Sequence, residues 1–200
     1  MGKKKKLFGT KDLTKQLHDF LLAESNLIKG VFSQKLDSKA EQIKVVLASC
    51  CNTATAIAKL CKNSEYFYAE AIVLARAFIE KIINFCYLLI CDEEEFNKFL
   101  KHTVQKSYRK LDRSTQVGTL KLGMKFQGKI DIDSNPLLKE ALEEFTSEKG
   151  KEKTRWTTKN LEKRIEIIFQ RTSLNIGIFM LNTLSIYEDA SETLHGTLYG

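Results

Sequence analysis

The sequence predicts an all-α fold, a bundle of five to seven helices with an irregular mid-chain loop or insertion. Three observations predict it. Apolar residues recur at three- and four-residue spacing through long stretches on both sides of the middle of the chain. The 200 residues contain one proline and ten glycines, too few turn formers for a sandwich of short strands. Hydrophobic residues make up 43% and charged residues 28%, which is enough apolar material for a sizeable core. The expected organisation is a basic arm at residues 1–10 and a single helical domain at 11–200, with loops at 112–136 and 146–156.

The arm carries Lys3 to Lys6. The stretch behind it, LFGTKDL, is too short and too polar for a secretory apolar segment, and position 6 is Lys where the myristoylation pattern has Ser or Thr. From Lys11 to Phe32, Leu13, Leu17, Phe20, Leu21, Leu27, Ile28 and Phe32 predict the first helix. Asp37-Ser38 opens a second, with Ile43, Val46, Leu47, Cys50, Ala54, Ile57 and Leu60 on its apolar face, ended by Asn63-Ser64. The third runs from Glu65 to Cys91 and is the most apolar in the chain. Its end, IINFCYLLIC, is about half a membrane span and contains Asn84. The expected setting is therefore cytoplasmic, with no membrane.

Asp92 predicts the cap of a fourth helix, with Glu93, Glu94 and Glu95 in its first turn, where carboxylates suit the helix dipole. Ser114–Pro136 holds three glycines and the only proline, shows no helical period and reads as a loop or insertion. A short helix follows from Leu137 to Phe145. Ser147–Arg155, SEKGKEKTR, reads as a charged, mobile linker. Leu161–Gln170 and Ser173–His195 read as the last two helices.

Five cysteines occur with no Cys-x-x-Cys pair, alongside three scattered histidines. That excludes a zinc framework, and the cysteines read as buried free thiols in a reducing compartment. No metal and no cofactor are expected. No Gly-rich loop has the spacing of a phosphate-binding P-loop.

Two polar stripes interrupt the most apolar helices. In AIVLARAFIEKIINFCYLLIC, Arg76 and Glu80 stand four apart, so they share a face and can pair; Asn84 extends that face and Tyr87 lies near it. In SLNIGIFMLNTLSIYEDASETLH, the residues Tyr187, Glu188, Ser191 and His195 form a polar ridge. Polar groups within a core need partners, so the two stripes are expected to face each other. Two readings follow. In one, His195 is a general acid or base, oriented by Ser191 or Glu188, and Arg76 stabilises an anion. In the other, the same residues form a satisfied network that fixes helix register. Ser191 lies in no Gly-x-Ser-x-Gly elbow, which argues against a nucleophilic serine.

The stripes, LARAFIEKIINFCYLL and YEDASETLHG, resemble motifs of a bacterial family of uncharacterised proteins placed near the HEPN superfamily. The resemblance spans about residues 54–200. It implies a HEPN-like helical bundle. Many HEPN proteins are metal-independent ribonucleases of toxin–antitoxin and phage-defence systems, many are dimers, and others are interaction modules without catalysis. Carried onto this chain, the matching positions are Arg76, Glu80, Ser191 and His195. The HEPN ribonucleases join arginine and histidine in one short motif. Here Glu188, Asp189 and Ala190 stand where that arginine would be, so Arg76 must take its place from another helix.

Between Lys98 and Lys129 nine Lys or Arg face one acid, Asp112, a balance of +8 within a chain whose net charge is +7. Phe99, Tyr108 and Phe126 interleave with them, a composition suited to phosphate contact and base stacking. Lys106, Arg109, Lys110 and Arg113 are the expected nucleic-acid-binding residues. The leading expectation is an RNA-acting protein, an endoribonuclease, with RNA and a homodimer partner. The alternative is a non-catalytic helical interaction module with an acidic protein partner and a structural Arg76/Glu80/His195 network.

Overall fold

A computed structural model describes residues 10–62, 64–173 and 177–194. Lys3 to Lys6 and His195 lie outside the described residues. Seven helices and one two-stranded hairpin are described: α1 (Thr10–Phe32), α2 (Ser38–Cys61), α3 (Ser64–Ile90), α4 (Glu93–Arg109), β1 (Arg113–Val117), β2 (Leu120–Met124), α5 (Pro136–Glu144), α6 (Leu161–Arg171) and α7 (Gly177–Leu194). The all-α bundle read from the periodicity is present. The chain forms two compact units, one of residues 1–90 and 161–200, the other of residues 91–160.

In the first unit α2 packs against both α1 and α3, and α3 also packs against α6 and α7. Asp37 starts α2 by accepting the Ala40 N–H at 2.8 Å, which satisfies one of the amides a helix start leaves open. One apolar cluster joins Leu21, Ala54, Ile57, Ala58 and Cys61 to Leu74, Ala75 and Phe78. A second joins Ile28, Leu47 and Cys51 to Val31, Phe32 and Phe85. By length and composition α2 is apolar enough to cross a membrane; the same composition is what a helix packed between two others requires. The five cysteines are free thiols, four of them buried and Cys86 half-buried. Burial pushes the Cys50 thiol up to about 11, with Lys81 opposing.

In the second unit Asp92 caps α4 through the Glu95 N–H at 2.8 Å. Glu95 does more than start the helix. Its buried carboxylate accepts from the Thr157 hydroxyl and the Lys159 ammonium, holding residues 157–159 on the first turn of α4. Phe99 meets Trp156 edge-on, with ring centres 5.4 Å apart. Residues 146–156 form a closed loop. Ser147 N–H donates to Lys151 at 2.8 Å, Lys153 N–H donates to Phe145 at 2.9 Å, and Gly150 takes a positive φ of 70°. Within the loop expected at 112–136, residues 113–124 form an antiparallel hairpin. Gly118, at φ 59°, is the first residue of its two-residue turn, the place where such hairpins favour glycine.

Candidate functional site

The first unit holds the candidate site, on the polar stripe of α3. Ile79, Ile83 and Leu88 are buried on that helix, and the packing that buries them turns Arg76, Glu80 and Asn84 toward α6 and α7. On α7, Ala190 is fully buried, which sets the helix down with Tyr187 and Ser191 against α3 and leaves Glu188 and Asp189 exposed.

The two stripes meet as the spacing predicts. Arg76 Nε donates to Glu80 Oε1 at 3.3 Å, and Arg76 Nη1 donates to Ser191 Oγ at 2.7 Å. Ser191 in turn donates to the Tyr187 carbonyl one turn back at 2.7 Å. The Tyr187 hydroxyl donates to Glu80 Oε1. The guanidinium carbon of Arg76 lies 4.5 Å from the centre of the Tyr187 ring, within cation–π range. Glu80 is thus the shared acceptor of a cation and a phenol from two helices.

A third helix contributes a residue absent from the sequence-based expectation. Arg164 of α6 donates to the Asn84 side-chain oxygen. Its burial lowers its proton affinity, while the nearby Tyr187, Glu80 and Tyr87 act in the opposite sense. The signal was present in LEKRIEIIFQR. Leu161, Ile165 and Ile168 form the inward stripe of α6, and position 164 falls within that stripe by helical spacing. A charged residue there must find polar partners across the interface.

Electrostatically, two guanidinium groups flank one carboxylate. The Tyr187 phenol is held well above the usual tyrosine range by burial and by its bond to Glu80, so it stays a neutral donor. The Arg76 and Glu80 side chains remain 28% and 44% exposed, so the cluster is open to solvent rather than sealed. Such an arrangement can take an anion on the cationic side while Glu80 and Ser191 fix the guanidinium plane. Of the four residues expected at the site, Arg76, Glu80 and Ser191 come together; His195, one helical turn past Ser191 in sequence, is outside the described residues. Among the described residues no three His, Cys, Asp or Glu side chains converge as a metal site would require.

The expected nucleic-acid-binding residues lie in the second unit and divide into kinds. Lys106 pairs with Glu152 at 2.6 Å, and the Lys106 bond holds that carboxyl below its usual range. Arg109 donates to Gln105 at 2.8 Å and to Thr146 at 2.7 Å. These two are therefore engaged in holding the 146–152 loop on α4. Lys110, at the C-cap of α4, is exposed. Arg113 begins β1, and its side chain is outside the described residues. His102 donates its Nε2 hydrogen to the Thr154 carbonyl at 3.1 Å and meets the Phe145 ring edge-on, which gives it a structural place.

The model of a family of unknown function (DUF5677) matches residues 43–200, and the chain belongs to that family. No curated protein and no solved structure matches it. The matched span includes every residue of the α3–α6–α7 cluster.

Proposed function

We propose that this member of the family is a HEPN-like, RNA-acting protein, a metal-independent endoribonuclease whose site spans α3 and α7. The observation that carries the reading is the Arg76–Ser191 bond. It joins the arginine of one motif to the serine one turn before the histidine of the other, although 115 positions separate them in sequence.

In the mechanism, His195 takes the proton of an RNA 2′-hydroxyl. The O2′–P bond forms, the P–O5′ bond breaks, and the departing 5′-oxygen takes up a proton, leaving a 2′,3′-cyclic phosphate. Arg76 stabilises the charge on the phosphate oxygens. Glu80, Tyr187 and Ser191 position Arg76. Lys110 adds attraction for the RNA backbone.

One observation favours a second reading. Arg76 already engages its Nε and Nη1 groups and its guanidinium face with Glu80, Ser191 and Tyr187. In a non-catalytic interaction module that closed set would fix the α3–α7 register.

The deciding experiment is cleavage of mixed single-stranded and transfer RNAs in the presence of chelator, with His195→Ala and Arg76→Ala run beside the unaltered chain. Circular dichroism checks each variant's fold. Activity lost in both folded variants supports the ribonuclease. No cleavage by the unaltered chain, or full activity in folded His195→Ala, leaves the interaction module.

A further inference from the structure

The β1–β2 hairpin is amphipathic, and its apolar face is uncovered. The register pairs Val117 with Leu120, Thr115 with Leu122 and Arg113 with Met124, and between them Gln116 with Lys121 and Ser114 with Gly123. Directly paired residues share a face and successive pairs alternate. One face therefore carries Val117, Leu120, Leu122 and Met124, which are 74%, 60%, 58% and 61% exposed, along with positions 113 and 115. The other carries Ser114, Gln116 and Lys121. A two-stranded hairpin is marginal in water unless a further strand or a helix covers its apolar face.

We infer that this face is a docking surface for an acidic amphipathic helix of another protein. The charge around the hairpin selects that occupant. A groove of about 710 Å³ runs between β2 and the end of α4, with Lys106, Arg109, Lys110, Leu122, Met124 and Glu152 among its lining. Glu152 is taken by Lys106, and Asp112, also on the groove, accepts the Phe126 N–H. Lys110, Lys121, Lys125 and Lys129 are exposed, and no acid among the described residues pairs with them. Aspartates and glutamates flanking a leucine stripe would meet these cations while the leucines cover the strands. A second copy would bring the same lysines to the contact. RNA would need flat rings to stack on, and the uncovered face carries no aromatic residue. The inference does not depend on ribonuclease activity.

The test uses the full chain and a fluorescein-labelled synthetic helix with leucines at helical spacing and glutamates elsewhere. Three further probes are its lysine-for-glutamate counterpart, a single-stranded RNA and the protein alone. The expected result is anisotropy-detected binding of the glutamate peptide and not of the lysine peptide, with slowed hydrogen exchange in residues 113–124 that RNA does not produce. Leu120→Ser/Leu122→Ser should weaken it by about tenfold or more. Lys110→Glu should weaken it several-fold, and Val45→Ser, an exposed apolar position on α2, should leave it unchanged. Equal binding of the lysine peptide, or full affinity in the double serine variant, overturns the proposal. So does exchange protection of the hairpin by RNA instead of the peptide. Self-association abolished by the double serine variant would give the face to a second copy and overturn it as well.

Discussion

Tyr187 shows how one hydroxyl carries much of the candidate site. Its ring lies under Arg76 while its O–H reaches Glu80. Tyr187→Phe keeps the ring and removes the donor, so the expected loss is about 1 kcal/mol in urea unfolding. The loss should also depend on pH. Burial and the Glu80 bond raise the phenol above the ordinary tyrosine value of 10.0. The unfolded chain therefore releases this proton first. The stabilisation is complete below pH 10.0 and is lost as pH rises beyond it. The phenylalanine variant should show a shallower alkaline decline; identical declines would remove Tyr187 from the linkage. At this scale much of the site was legible. Arg76 and Glu80 stand four apart in an apolar helix, and Ser191 lies four beyond Tyr187, spacings that determine a shared face. What spacing could not reveal was the third wall. Arg164 lies in a helix rich in charge, where one inward-facing cation among Lys163, Glu162 and Glu166 draws no notice until its stripe is traced.

At the scale of elements, the helix starts were readable because capping is local chemistry. Asp37 and Asp92 each precede a helix and accept an amide hydrogen three residues on. Asp37→Ala should lower stability by about 1 kcal/mol and Asp37→Asn by less, since the amide oxygen can still accept. Equal losses in the two variants would mean that charge rather than capping is at work. The hairpin was harder to read. The three glycines of Ser114–Pro136 and the lack of a helical period suggested a loop, yet Leu120, Leu122 and Met124 alternate with a period of two, and Val117 faces Leu120 across Gly-Thr. Strand pairing depends on contacts between segments, and five residues per strand carry a weaker pattern than a helix of twenty. Gly118→Val forces a β-branched residue to φ 59°. Exchange in residues 113–124 should speed up while the helical circular dichroism stays unchanged. A parallel loss of helix would show that the hairpin supports α4. The charged run at 147–155 is a loop, as its composition suggests, and its contacts depend on another segment: Lys106 and Gln105 of α4 reach Glu152 within it, and Arg109 reaches Thr146 beside it.

Across the whole molecule, charge counted along the chain differs from charge left free in space. Between Lys98 and Lys129 the balance is +8. Yet Lys98 pairs with Glu94, Lys101 with Glu140 and Glu144, and Lys106 with Glu152. Those acids all lie outside that stretch, so no window of sequence could show the cancellation. Arg109 is held by neutral acceptors. Among the described residues of that stretch, the exposed cations with no acid partner are Lys110, Lys121, Lys125 and Lys129. Four cations released onto single-stranded RNA give a slope of log affinity against log salt of about −3, whereas nine would give about −6. Titrating labelled RNA at several salt concentrations distinguishes the two. Lys110→Ala should make the slope shallower by about 0.7, and Lys106→Ala should leave it unchanged, because Lys106 is neutralised by Glu152 before RNA arrives. A slope near −6 would mean that the α4 ion pairs open on binding and the whole basic segment acts as one surface. A slope near zero would remove electrostatic RNA binding from this unit. The lysines around the hairpin would then be explained by an acidic protein partner alone.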